Sequence, residues 1–224
     1  GAIMTTVIMV VMALSFVILT GYAGQTSLAQ MAFAGVAGFS LSKMAMAWDI
    51  PFPLAPIGAT IVATLFGALT GLPAPRLRGT NLAIVTLAGG VAIAEFVFKN
   101  PRYVGDASTG GAKVPNPELF GWDFGLVLGD KSSRPIFGIF LVAVALVLAL
   151  VVSNIRRSAI GRRILAIRSN ERAAAAIGIS VAKVKMMAFA MSAFVAGVAG
   201  CLLAYRFGAV SDASYGIVAS LTEL

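Results

Sequence analysis

The chain of 224 residues contains no histidine and a single cysteine, Cys201. Catalysis by an imidazole and metal ligation by histidine are therefore excluded for this chain. One cysteine cannot form a disulfide within the chain, and no zinc-ligand spacing exists. Cys201 stands in an apolar run, which is typical of a small buried side chain. We expect neither a metal site nor a cofactor.

Charge is also scarce. Only 12% of the residues are charged, whereas an ordinary soluble domain has about 25%. Hydrophobic residues make up 59%, and the mean hydropathy is +0.94. This composition predicts an all-α fold, a polytopic transmembrane helical bundle. The chain begins in an apolar run without the basic start of a signal peptide, so we expect one transmembrane domain, 1–224, truncated at both ends.

Six stretches are apolar enough to be spanning helices, which need about 20 residues. The second of them is rich in glycine, alanine and serine, and prolines bound the third. A further element is expected to begin within 211–224. The six predicted spans are 2–20, 24–48, 54–72, 81–98, 135–152 and 186–205.

The few charges are unevenly placed. The formal net charge is +8, and residues 154–185 hold eight basic residues and one acid, Glu171, giving +7 of that +8. Basic loops between apolar segments stay in the cytoplasm, so we place this loop there and expect no binding of nucleic acid. Alternation then puts Arg76 and Arg78 in the cytoplasm and the loop 99–134, with five basic and four acidic residues, in the periplasm.

The outer loop, 99–134, is long for a connection in a compact domain, and such loops are often functional. Gly121, Gly125 and Gly129 alternate with apolar residues there. This pattern indicates a short hairpin or an interfacial segment that covers a path or meets a partner. A simple connector is the alternative.

The cytoplasmic loop, 154–185, predicts two short helices. Isoleucines at 160, 164 and 167 give the first an apolar face. Asn170 suits the N-cap of the second, and Gly178 suits its end. Such a helical module fits two roles equally well on physical grounds: a handle for a partner protein, or a helix lying on anionic lipid.

The loop resembles the cytoplasmic coupling segment of ABC importer permeases, whose loose signature is Glu-Ala-Ala, three residues, then Gly. Counting back from Gly178 puts positions 172–174 on that signature, with the acid one position early. The longer string Gly161-Arg-Arg…Ala-Ile-Arg-Ser-Asn-Glu…Ile-Gly-Ile…Lys-Val-Lys resembles the LivM branch of the branched-chain amino acid permease family. The resemblance implies that ATPase coupling falls to Arg168, Asn170, Glu171, Ala173, Ala174 and Gly178.

Two other segments resemble the same family. Residues 21–35 read Gly-Tyr-Ala-Gly-Gln-Thr-Ser-Leu-Ala-Gln-Met-Ala-Phe-Ala-Gly, and residues 76–88 read Arg-Leu-Arg-Gly-Thr-Asn-Leu-Ala-Ile-Val-Thr-Leu-Ala. Gln30 departs from the family's pattern of a small residue and histidine. The three matches occur in the family's order and span most of the chain.

The family resemblance implies a multi-pass permease of the bacterial inner membrane that imports branched-chain amino acids. It would pair with a homologous permease subunit in the lipid bilayer and sit on two cytoplasmic ATPase subunits. A periplasmic binding protein would deliver the substrate. The permease itself would not be an enzyme, and the chain has no G-x-x-x-x-G-K-[ST] loop for nucleotide.

Polar residues at membrane depth are candidates for the translocation path, because burying them unpaired is costly. The stretch around residues 25–27 is flanked by glycine and fits a broken or re-entrant helix. Glu95 is the one acid well inside an apolar run. The alternative to a role in the path is that its side chain snorkels to the outer interface beside Lys99. Thr60 and Thr64 are expected to bond their own helix's carbonyls. The path candidates are Gln25, Thr26, Ser27, Asn81, Thr86 and Glu95.

Other functions remain as alternatives. A sugar or nucleoside permease of the same superfamily is the nearest. A secondary transporter or channel also uses broken helices, but it leaves the cytoplasmic module unexplained. A membrane enzyme has little chemistry available in a chain without histidine.

Overall fold

The computed structural model describes residues 2–75, 77, 80–98, 112–115, 117–119, 122–123 and 135–210. Arg76, Arg78, most of the 99–134 loop and residues 211–224 lie outside this set. The elements in chain order are α1 (Ala2–Phe16, continued by π-helical Val17–Tyr22), α2 (Gln30–Ala47), α3 (Leu54–Thr70), α4 (Thr80–Ile93, continued by π-helical Ala94–Phe98), β1 (Ala112–Lys113), β2 (Glu118–Leu119), β3 (Trp122–Asp123), α5 (Pro135–Arg157), α6 (Ala159–Ser169), α7 (Glu171–Ala176), α8 (Val181–Phe207) and β4 (Ala209–Val210).

The fold is an all-α bundle, as predicted, and each of the six predicted spans is helical. The second span is corrected: it begins at Gln30, not at residue 24, because Gly24 has a φ of 64° and stops the helix. Two others are longer than predicted, since α5 runs to Arg157 and α8 covers Val181–Phe207.

Three helices of the described chain are long and apolar enough to cross a membrane. They cover Ile3–Tyr22, Phe137–Arg157 and Val181–Phe207. Leu54–Thr70 and Asn81–Phe96 are shorter apolar helices. Along α3, the exposed residues Ile57, Ile61, Leu65 and Leu69 recur every four positions. An apolar stripe of this kind belongs against lipid or another apolar helix, so the chain is a multi-pass membrane protein.

Helix α8 forms the centre of the bundle and packs against α1, α2 and α3. Small residues make these contacts. A Cβ atom added to Gly67 would overlap the Cβ of Ala193, and one added to Gly200 would overlap the backbone of Ala34. In lipid, such close backbone approach is what drives helices together. Gly67 in α3 and Gly200 in α8 are therefore sites of close approach between helices.

The helix ends sort into two groups, as alternate crossing predicts. At one end, Tyr22 after α1 donates its hydroxyl to the Val152 carbonyl of α5 at 3.4 Å. The module α6–α7 lies at this end. At the other end, Ser42 of α2 donates to the Lys113 carbonyl at 2.5 Å, and the ring of Phe52 lies 6.0 Å from that of Tyr205 in α8.

Two short strand pairs involve residues of the outer loop, 99–134. Strand β1 pairs antiparallel with β4, with Ala112 opposite Val210, so the outer loop is tied to the end of α8. Strands β2 and β3 pair antiparallel with Leu119 opposite Trp122. This is a short hairpin at the start of the segment in which one was predicted. Apart from Trp122 and Asp123, the alternating pattern at 121–129 lies outside the described residues.

Candidate functional site

The module α6–α7 is packed onto its own bundle. Ile164 and Ile167, on the apolar face that the sequence predicted, are buried in a cluster with Leu19, Val184 and Phe189. A helix lying on lipid would present these isoleucines to the bilayer. The predicted apolar face is confirmed, and it is used inside the protein.

Two polar caps define the module. Ser158 accepts a hydrogen bond from the Gly161 amide at 3.2 Å and so caps α6. The Asn170 side chain accepts from the amides of Arg172 at 3.0 Å and Ala173 at 3.1 Å. The predicted N-cap at Asn170 is therefore confirmed, and such caps stabilise a helix by about 1 kcal/mol. Ser180 stands at the N-cap position of α8 but makes no side-chain cap bond.

The end of α7 is exposed and apolar. Ile177 is 76% exposed, Ala173 is exposed, and Gly178 has a φ of 84° with nothing within 4 Å of an added Cβ. Ala174 differs, since it is only 3% exposed and packs into the cluster beneath the module. On the six-residue helix α7, Ala173 and Ala174 point to different sides, so the predicted pair does not share one face.

A non-helical segment, residues 23–29, joins α1 to α2 and contains the predicted break. Gln25 and Ser27 are buried within it, whereas Thr26 is exposed. Thr86 of α4 accepts a hydrogen bond from the Leu28 amide at 3.3 Å and donates to the Ala83 carbonyl at 3.0 Å. Non-helical backbone at membrane depth is tolerated only beside protein or a water-filled cavity. Four predicted path residues, at positions 25, 26, 27 and 86, thus meet at this segment.

A cavity of about 370 Å³ lies between the non-helical segment and the module. Gln25 and Thr26 line it from one side, and Arg168, Asn170 and Glu171 line it from the other. The Arg168 guanidinium also donates to the Gly21 carbonyl just before the segment. Residues predicted for coupling and residues predicted for the path therefore line one cavity.

Lys185 closes the inner wall of this cavity and was not predicted as a site residue. Its side chain is 2% exposed, and Nζ lies 2.6 Å from Oε1 of Glu171. Nζ also donates to the Ala74 carbonyl, after α3, at 3.2 Å. Removing one partner of a buried ion pair costs about 3–5 kcal/mol. A lysine directly before the apolar span predicted at 186–205 was a usable signal, because a buried charge there needs a partner.

Two path candidates stand apart from this cluster. Asn81 is exposed at the start of α4, and Glu95 is exposed in the π-helical end of the same helix. Thr60 and Thr64 donate to the carbonyls of Pro56 and Thr60, each at 2.7 Å, so their predicted backbone bonding is confirmed.

Gln30 is a second polar residue that the site prediction left out. It is the first residue of α2 and is fully buried, and neither atom of its amide has a hydrogen-bond partner within the described chain. The Oε1 atom of Gln25 is likewise buried without a partner among the described residues. Buried amide atoms without partners are costly in hydrocarbon, so these three atoms are places where a water molecule would bind.

The sequence matches a family model over residues 1–222, and that family is the permease component of branched-chain amino acid transport systems. The chain belongs to this family. The family match agrees with the resemblance seen in the coupling segment and in residues 21–35 and 76–88. No solved structure matches the chain.

Curated relatives agree with this membership. The high-affinity branched-chain amino acid transport system permease protein LivM of Escherichia coli (strain K12) is 32% identical over 228 residues, which cover 94% of this chain and 53% of that protein. The LivM protein of Salmonella typhimurium (strain LT2) has the same identity and coverage. The xylose transport system permease protein XylH of Haemophilus influenzae is 37% identical over 88 residues, covering 39% of this chain and 23% of XylH. The chain spans about half the length of the LivM proteins.

Proposed function

We propose that this chain is the membrane-spanning part of an ABC importer permease for branched-chain amino acids, in the bacterial inner membrane. It pairs with a homologous permease subunit and receives substrate from a periplasmic binding protein. Two cytoplasmic ATPase subunits hydrolyse the nucleotide. Family membership over residues 1–222 carries the proposal, and the structure supports it in two places.

The first support is the shape of the cytoplasmic module. Ile164 and Ile167 are buried within the protein, which leaves an apolar tip at Ile177 and Gly178 for a partner. An apolar side chain in open water, at the end of a capped helix, favours a protein groove over a lipid surface. We propose that this tip, with Ala173, docks on the ATPase. Arg168, Asn170 and Glu171 hold the tip in place, and Ala174 anchors it from beneath.

The second support is the non-helical segment, residues 23–29. It brings the buried polar groups of Gln25 and Ser27 into the bundle and is held by Thr86. Polar groups and broken helices in a membrane bundle are typical of a solute path. We propose that the substrate passes along this segment.

Transport by the complete importer tests the proposal. The full-length permease would be reconstituted in proteoliposomes with its permease partner, its ATPases and its binding protein. We expect uptake of labelled leucine, isoleucine and valine that requires ATP. Leucine uptake that persists unchanged without ATP would instead indicate a secondary transporter, and absence of ATPase in the purified complex would point the same way.

A sugar permease is the second candidate, because the chain shares 37% identity over 88 residues with a xylose permease protein. The same vesicles decide between the two functions. Uptake of labelled xylose or another pentose, with no uptake of leucine, would replace the amino acid assignment.

A further inference from the structure

Among basic residues whose side chains the structure describes, Lys185 is the only one that is buried. The basic residues at positions 156, 157, 162, 163, 168, 172 and 183 are all exposed. Water solvates those charges, whereas the Lys185 ammonium depends on groups of the protein. It has two such partners, the Glu171 carboxylate at 2.6 Å and the Ala74 carbonyl at 3.2 Å.

These two contacts join three separate elements. Glu171 is the first residue of α7, Ala74 lies in the turn after α3, and Lys185 is the fifth residue of α8. The covalent link from α7 to α8 is four residues long, 177–180, and contains Gly178 in a left-handed conformation. A glycine in that conformation is the kind of position at which a linker turns with little resistance.

The ion pair therefore connects α7 to α8 directly, independently of the linker 177–180. If α7 moved on the ATPase, rotation about Gly178 could absorb the motion before it reached α8. The Lys185–Glu171 contact joins the start of α7 directly to α8, and the Ala74 carbonyl extends the connection to the end of α3. Helix α8 is the central helix and packs against α1, α2 and α3. A displacement of α8 at Lys185 would therefore be transmitted to the whole bundle.

We propose that Lys185 is a positioning residue that couples the cytoplasmic module to the central helix. This inference rests on the proposed function, since it assumes an ATPase on α7. Lys185 touches neither substrate nor nucleotide in this role. It converts displacement of α7 into displacement of α8, so its loss uncouples ATP hydrolysis from transport.

The test compares Lys185→Met with Lys183→Met in the full importer, reconstituted with its partners. Lys183 lies on the same helix turn and loses the same charge, but its side chain is exposed. Leucine transported per ATP hydrolysed is measured for each, together with ATPase recovery in the purified complex. We expect Lys185→Met to lower the ratio roughly fivefold or more, which is the low end of coupling between sites. The ratio measured for Lys183→Met should equal that of the unmodified permease.

Two further variants keep the test decisive if Lys185→Met fails to insert. Glu171→Gln removes the other charge of the pair at a partly exposed position, and it should also lower the ratio. The exchange Lys185→Glu with Glu171→Lys restores opposite charges and should recover part of the coupling. Ratios equal to that of Lys183→Met in all the variants that assemble would overturn the inference. A failure of the proposed function looks different, because the unmodified chain would then show no ATP-dependent uptake.

Discussion

Gly24 and Arg168 both line the cavity between the non-helical segment and the cytoplasmic module, and the Arg168 side chain leaves no room for a side chain at position 24. A Cβ atom placed on Gly24 would stand 3.0 Å from Cγ of Arg168, and Gly24 itself has a φ of 64°. The same arginine donates to the Gly21 carbonyl. Backbone shape at residue 24 and the position of the Arg168 side chain therefore depend on each other.

Replacing Gly24 by alanine should impair transport more than it impairs insertion. The left-handed backbone costs about 1–2 kcal/mol for a residue with a Cβ, and the added atom pushes against Arg168. We expect leucine uptake to fall about tenfold, equivalent to about 1.4 kcal/mol, with unchanged amounts of protein in the membrane.

A matched control for this variant is Gly138→Ala. There the added Cβ would lie 3.6 Å from Cε of Met4, an ordinary contact, in α5. Equal uptake by the two variants would show that the Gly24–Arg168 contact has no part in transport.

Docking of the module should depend on Gly178 and Ala173. Gly178 has a φ of 84° in open space, so Gly178→Val strains the backbone without creating an internal clash, since a β-branched residue there is an outlier. Ala173→Glu adds bulk and charge to an exposed position. Both variants should lower recovery of the ATPase with the permease in detergent without anionic lipid, while the chain still inserts.

The double variant Arg162→Ala and Arg163→Ala is the comparison for the docking experiment. If the module worked on lipid, loss of these two charges would matter most and the small residues little. Ala174→Glu is less informative than Ala173→Glu, because it buries a carboxylate within the chain's own cluster and tests stability as well as docking. Normal ATPase recovery with Gly178→Val and Ala173→Glu together would remove the docking assignment.

Topology is open to direct labelling. We predict that positions 162 and 168 face the cytoplasm and that Lys113 faces the periplasm, since residues 154–185 hold the excess of basic residues. Arg162 and Lys113 are both exposed, so single cysteines at these positions in a Cys201→Ala background will react if they are reached. An impermeant thiol reagent applied to intact cells should label position 113 and spare position 162. The reverse pattern would invert the topology.

Glu95 is the remaining path candidate that can be tested singly. Its side chain is exposed at the π-helical end of α4, apart from the cavity residues. If it contacts the moving substrate, Glu95→Gln should lower leucine uptake severalfold at unchanged expression, because the substrate loses a charged partner. Asp49→Asn, also at an exposed acid, is the control. Uptake by Glu95→Gln that matches the control would assign Glu95 to the interface and not to the path.

The sequence was sufficient for features that depend on near neighbours along the chain. Apolar run lengths predict the helices, Asn170 predicts its own cap, and Thr60 and Thr64 predict their bonds to the preceding turn. The contacts of Lys185 could not be read in this way, because Ala74 is 111 residues away. The burial of Ala174 could not be predicted either, since a helix of six residues is too short to show a periodic apolar pattern.

The central position of α8 affects how the protein is made. The helices that enclose it, α1 to α3, end at Thr70, about 110 residues before α8 begins at Val181. At synthesis rates of roughly 5–20 residues per second, these helices wait in the membrane for about 5–20 s before α8 leaves the ribosome. During that interval the small-residue faces around Gly67 and Ala34 have not met their final partner. The close backbone contacts at these residues therefore form only after α8 has been made and inserted.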